Sequence, residues 1–237
     1  MNRIFLLSPA HCGGRRAKQV LSANATFDLA VELRSGDGAA LGDVFAFVSG
    51  LYFRGKLTYA RRFAAPADAA NPMVGSGVQI ITPNAGLRGP DTRVTSEALR
   101  DFSGADVHAD NADYRRPLER SARALLGELG SDCDVILLGS IASPKYTSVL
   151  LGIFGDRLRF PIDFVGRGDM SRGGLLLRSA AEGRELEYAP VAGAVLHGAR
   201  PPKLPALRTG TMTGLQNGRI TGLQKGRIAE VQQGHKE

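Results

Sequence analysis

The sequence has no tryptophan, and only two cysteines and four histidines in 237 residues. Cys12 and Cys133 are too few for a disulfide framework. Neither cysteine nor histidine recurs at the spacing of a structural zinc site, so neither a metal nor a cofactor is expected. Aromatic residues make up 6% of the chain, too few for a base-stacking platform. A run of about 18 apolar residues, the minimum for a membrane-spanning helix, is missing too, so no membrane partner is expected. The apolar start, Ile4 to Leu7, is four residues long. A signal peptide needs roughly 7–15, so this stretch reads as a first strand, and a reducing, cytoplasmic setting is expected.

Charge of one sign is nearly lacking before the C-terminus. The net charge is +7, but from Arg200 onward there are seven Lys/Arg and two Glu. What precedes holds 23 basic against 21 acidic residues. A broad nucleic-acid-binding face is therefore not indicated by charge. The stretch 201–237 opens on Pro201, Pro202 and Pro205. It then repeats Thr213-Gly214-Leu215-Gln216-Asn217-Gly218-Arg219-Ile220 almost unchanged at 221–228. Two octapeptides cannot build a core, so a flexible, disordered basic tail is expected, with weak electrostatic contact to nucleic acid as its sharper reading.

What the chain does have is 43% hydrophobic residues, enough for one domain over 1–200. Apolar strand-like runs at 3–7, 78–82, 105–108, 133–138, 158–160 and 186–191 alternate with helical patterns. Glycine and proline punctuate them, and 26–40 reads as irregular. Segment 41–64 reads as two helices divided by Gly50 or Gly55. Thr95 or Ser96 caps a helix to Phe102, Pro117 starts the next, and Ser143 caps a helix whose first residue is Pro144. Alternating strands and helices predict an α/β fold: a single three-layer, Rossmann-like domain with a mainly parallel sheet and helices on both faces.

Glycine-rich loops follow four of these strands, at 8–16, 83–91, 139–146 and 166–174. In a parallel sheet such loops gather beyond the carboxyl ends of the strands. That edge would hold Ser8, Arg15, Arg16, Asn84, Ser140, Lys145, Arg167, Asp169, Ser171 and Arg172. The last loop, Gly166-Arg167-Gly168-Asp169-Met170-Ser171-Arg172-Gly173-Gly174, suits an anion through free N–H groups and two guanidinium forks. Its alternative is a surface turn. Arg54 and Lys56 flank Gly55, where backbone could approach a ligand. Cys12 beside Gly13 reads as a small buried filler rather than a thiolate nucleophile.

Two stretches resemble a family of small bacterial and phage α/β proteins of unknown function. Leu51-Tyr52-Phe53-Arg54-Gly55-Lys56-Leu57-Thr58-Tyr59-Ala60 is similar to its Leu-Tyr-rich helix. Ile80 to Asp91 is similar to its strand and Pro-containing loop, with Asn84-Ala85 in place of a Lys-Tyr or Lys-His pair. The family looks loosely like uracil-DNA-glycosylase-like and RNA-modification domains in layout, and the resemblance implies nucleic-acid-related chemistry. Together with the Arg-rich edge it leads to the expectation of a hydrolase or transferase. The substrate would be a phosphate-bearing small molecule, a nucleotide, nucleoside or phosphorylated sugar, with glycosidic-bond cleavage or base transfer as the reaction. Asp169 would be the base, Arg167, Arg172 and Lys145 would hold phosphate, and Asn84 and Ser140 would orient base or sugar. The alternative is a non-catalytic nucleotide or nucleic-acid binding module.

Overall fold

The structure, a computed structural model, describes residues 1–142, 144–196, 198, 199, 201, 202 and 204. The duplicated octapeptide and the cap expected at Ser143 lie outside the described residues.

The chain begins with β1 (Asn2–Leu7), then α1 (Arg15–Val20), α2 (Asp28–Arg34), β2 (Ala39–Ala40), α3 (Leu41–Ser49) and α4 (Leu51–Phe63). It continues with β3 (Val78–Ile81), β4 (Leu87–Arg88), β5 (Arg93–Val94), α5 (Ser96–Gly104), α6 (Ala112–Glu128) and β6 (Cys133–Leu138). The last elements are α7 (Pro144–Phe154), β7 (Leu158–Pro161), α8 (Asp169–Glu182) and β8 (Tyr188–Pro190). Six strands form one sheet in the order β4-β3-β1-β6-β7-β8. The four inner strands are parallel, and β4 and β8 pair antiparallel at the two edges. The fold is thus α/β with a mainly parallel sheet. Among the described residues no helix is long and apolar enough to cross a membrane.

The inner strands are apolar on both faces, as a sheet covered on both sides requires. Phe5, Leu7, Ile80, Ile136 and Leu138 enter one core with α1 to α5 and α8. Ile4, Leu6, Ile81, Val135 and Leu137 enter a second core with α6 and α7. Successive side chains point to opposite faces, so each strand contributes to both cores. The connection leaving β1 runs over the first face and that leaving β6 over the second. Between these adjacent strands the winding reverses, and their carboxyl ends flank a crevice.

Several expected boundaries moved. Residues 26–40 hold α2, because Ala30 and Leu33 bury on one face of a short amphipathic turn. Gly50 does divide α3 from α4. Its φ of 66° is a conformation that favours glycine, and the Arg16 guanidinium fills the space a Cβ would need. Gly55 does not break α4. The strand expected at 105–108 is absent: these residues join no sheet, and the His108 N–H turns back to the Asp106 carbonyl at 3.1 Å. Pro117 lies inside α6, five residues beyond its start, and Asn111 is the cap, accepting from the Asp113 N–H at 3.0 Å. Thr95 caps α5 as expected, accepting from the Ala98 N–H.

Candidate active site

Ser8 is the first residue past β1, and its N–H still donates to the Leu138 carbonyl of β6. Its side chain therefore stands at the crevice between the two strands. Lys56 of α4 reaches it from the first helical layer. The amine nitrogen lies 2.6 Å from the Ser8 carbonyl oxygen and 2.9 Å from Ser8 Oγ. Lys56 is 1% exposed and Ser8 7%. The amine rests on two aromatic rings, 4.7 Å from the centroids of Tyr52 and of Phe53. Among the described residues it forms no ion pair with a carboxylate. Removal from water disfavours the ammonium form. Burial pushes the Lys56 pKa down to about 7, and the charge of Asp169 opposes that only in part.

Tyr146 of α7 comes from the opposite layer. Its hydroxyl accepts a 2.8 Å hydrogen bond from the Ser140 N–H, just past β6. A Cβ on Gly139 would lie 2.7 Å from that hydroxyl and 2.9 Å from Ser8 Cβ. The glycine lets Ser8 and Tyr146 converge. Burial raises the Tyr146 pKa, eased by the Ser140 N–H and the Ser8 hydroxyl beside it.

The fourth contributor is α8, whose tightest partner in the molecule is α4. Two glycines set that approach. A Cβ on Gly55 would stand 2.7 Å from the Gly173 oxygen, and one on Gly173 would stand 2.8 Å from Tyr52 Cα. The segment expected as a glycine-rich loop at 166–174 is therefore helical from Asp169 onward, and its glycines serve helix contact. The start of α8 carries Asp169 and Arg172. Arg172 donates twice to the Phe164 carbonyl, at 3.2 and 3.0 Å. It stacks on the Phe164 ring at 5.3 Å and pairs with Asp169 at 3.6 Å. The Asp169 side chain is 69% exposed. Tyr52 lies among these charges. Its hydroxyl is buried and makes no well-formed hydrogen bond among the described residues, although the Arg172 guanidinium stands beside it; burial pushes its pKa up, eased by Arg172.

Of the residues expected at the edge, Ser8, Ser140, Asp169 and Arg172 thus surround the Lys56–Tyr52–Tyr146 cluster. Arg167 is half-buried and held by the Asp163 carbonyl at 2.9 Å and Ser171 Oγ at 3.3 Å. Lys145 is exposed on the first turn of α7. Arg15 and Arg16 are exposed at the start of α1, with Arg16 reaching the Phe47 carbonyl. Asn84 lines a different hollow, of about 860 Å³, with Arg88, Arg120 and Ser121; neither Ser8 nor Ser140 lines it.

Sequence reasoning named Lys56 only as a neighbour of Gly55 and passed over Tyr52 and Tyr146. The signal was present: Tyr52, Lys56 and Tyr59 fall at i, i+4 and i+7 on the apolar stripe of α4, so the lysine shares the buried face. Cys12 is buried, its pKa pushed up to about 12 by desolvation, which makes it a poor nucleophile at neutral pH. No family model, no curated protein and no solved structure matches this chain.

Proposed function

We propose that the β1/β6 crevice is the ligand site of a hydrolase or transferase acting on a nucleotide, nucleoside or phosphorylated sugar. The observation that carries this reading is the Arg172 guanidinium, held at the start of α8 beside Asp169 and against the buried Tyr52 hydroxyl. That hydroxyl makes no well-formed hydrogen bond among the described residues, so a ligand hydroxyl or phosphate oxygen would find both Tyr52 and Arg172 ready to bond. Arg172 is fixed in place by the Phe164 carbonyl and ring. Such a preset guanidinium suits a phosphate or a developing anion. Asp169, exposed at the first residue of α8, is reachable by a ligand and would serve as general base or as the anion facing an oxocarbenium-like centre. Arg167 and Lys145 would contribute to phosphate binding at the rim, and Ser140 to orienting base or sugar.

A thermal-shift panel of nucleoside monophosphates, nucleosides and sugar phosphates tests this. A ligand of the folded state raises the melting temperature by mass action. The expected result is a shift with at least one of these classes, and release of base or sugar from it by chromatography. Asp169→Asn should abolish release and keep the shift. A shift without turnover in the unaltered chain makes the protein a binding module. No shift with any class removes the reading.

A further inference from the structure

We propose that Ser8 and Lys56 form a hydroxyl–amine dyad in which Ser8 Oγ is a covalent nucleophile toward a carboxylic ester. This goes beyond the nucleotide reading, since it concerns a second chemistry in the same crevice and does not depend on Asp169.

The geometry has three parts. Lys56 Nζ is 2.9 Å from Ser8 Oγ, within the range for transfer of a proton between a nucleophile and its base. Both groups are buried, the base more completely: Lys56 keeps 1% of its surface and Ser8 keeps 7%. The serine follows β1, an inner strand at the reversal of winding, where α/β sheets present reactive groups. A lysine that merely capped the end of β1 would need only the Ser8 carbonyl. This one also meets Oγ, on a bed of two aromatic rings, with no carboxylate in ion-pair contact among the described residues. Desolvation then leaves a substantial share of the amine neutral near pH 7, and its lone pair has Ser8 Oγ–H within reach.

The steps balance with one proton. Ser8 Oγ attacks the ester carbonyl carbon as its proton passes to neutral Lys56 Nζ. The C–O bond to the leaving alcohol breaks, and Lys56 returns the proton to that alcohol. Water then attacks the acyl-serine, again losing a proton to Lys56. The carboxylic acid departs and Ser8 regains its hydrogen. No oxidant, reductant or further reactant is needed.

The test uses the full chain and diisopropyl fluorophosphate, which adds one phosphoryl group to an activated serine and releases fluoride. Expected is a single adduct mapped to Ser8 by peptide mass spectrometry, absent in Ser8→Ala and unchanged in Ser103→Ala. Lys56→Gln should label at least about 100-fold more slowly, the usual span for loss of a general base. Because that variant could misfold, the unaltered chain supplies a second measurement. Its labelling rate should rise with pH about a midpoint near 7. The other ionisable groups facing Lys56 and Ser8 are Asp169, Arg172, Tyr52 and Tyr146. The tyrosines are held above their ordinary range, so neither supplies a midpoint near 7. An adduct on another residue, a flat pH profile, or no adduct after hours at pH 8 overturns the dyad. Each of these leaves the nucleotide thermal shift to stand or fall separately.

Discussion

Two hollows flank this sheet, and they differ in kind. The larger, between the β3–β4 turn and α6, has about 860 Å³ and is rimmed by Arg88 and Arg120, both exposed. Polar groups there are already engaged: Ser121 Oγ serves the Leu87 N–H at 2.8 Å and Gln79 donates to the Met73 carbonyl at 2.6 Å. The crevice at β1 and β6 holds a buried amine and a buried phenol that makes no well-formed hydrogen bond among the described residues. Volume is inexpensive at a surface, whereas a buried amine and a poorly bonded buried hydroxyl oppose folding. A sequence keeps such groups against that opposition only where structure or chemistry uses them, so the β1/β6 crevice is the better candidate for function.

The heaviest blow to this contrast is mechanical. Gly55→Val puts a branched side chain where the Gly173 carbonyl already stands at 2.7 Å from a bare Cβ. Backbone cannot yield as a side-chain tip can, so α4 and α8 must separate. A loss of about 3 kcal/mol is expected in urea unfolding, the upper range for overpacking. Gly152→Ala on α7, with open space around it, is the matched control and should gain up to about 1 kcal/mol. Equal effects at both positions would mean that the two helices do not depend on the glycine contact.

Next in size is Lys56→Met. The folded pKa of Lys56 lies near 7, below its ordinary value of 10.5. Between those values the unfolded chain binds more protons than the folded one, so stability rises with pH. Below about 7 both states are charged and the full burden of burying the ammonium is present. Cys12 limits the window from above: its thiol, raised from 9.0 to about 12, favours the folded state less as pH climbs past 9. Stability should therefore climb from pH 7 to 9 in the unaltered chain. Lys56→Met should flatten that slope and add on the order of 2 kcal/mol at pH 6, as apolar replacement of buried charge can. A retained slope would show that the amine is not desolvated, and the distinction between the two hollows would go with it.

The fold was largely legible because it rests on short-range pattern. Runs such as Cys133 to Leu138, apolar on both faces, announce an inner strand, and Gly50 and Gly183 stop helices locally. The expectation that four loops share an edge followed from the same alternation. Residues 105–108 misled because Val107 and its neighbours look strand-like, yet a strand needs an open partner, which sequence does not display. The site was half legible. Ser8, Ser140, Asp169 and Arg172 were found by position after strands. Lys56, Tyr52 and Tyr146 were not, because each depends on a meeting of layers: α4 with α8 through Gly55 and Gly173, and α7 with β1 past Gly139. In sequence those glycines read as loop or breaker, whereas in the fold they are close contacts.

Smaller effects sharpen the comparison further. Tyr52→Phe deletes a buried hydroxyl that makes no well-formed hydrogen bond among the described residues and has the Arg172 guanidinium beside it. In the free protein this should be neutral or stabilising by up to about 1 kcal/mol, since at most a weak bond is lost and a desolvated oxygen is removed. Any ligand that uses the hydroxyl should lose roughly that much or more of its stabilisation. The two signs are opposite, so one variant measured with and without ligand separates a binding hydroxyl from a packing ring.

The mildest expectation concerns the larger hollow. Arg120 sits exposed on α6, on its rim. Arg120→Ala should change stability by less than about 0.5 kcal/mol and leave every nucleotide-induced shift intact, because its guanidinium shares no group with the crevice. A variant that instead abolished the shift, at unchanged stability, would move the ligand to the 860 Å³ hollow. Asn84, which lines that hollow, would then become the residue to follow. Lys56 on Ser8 would be left as the cap of a strand, and buried polarity would have proved a worse guide to this molecule than open volume.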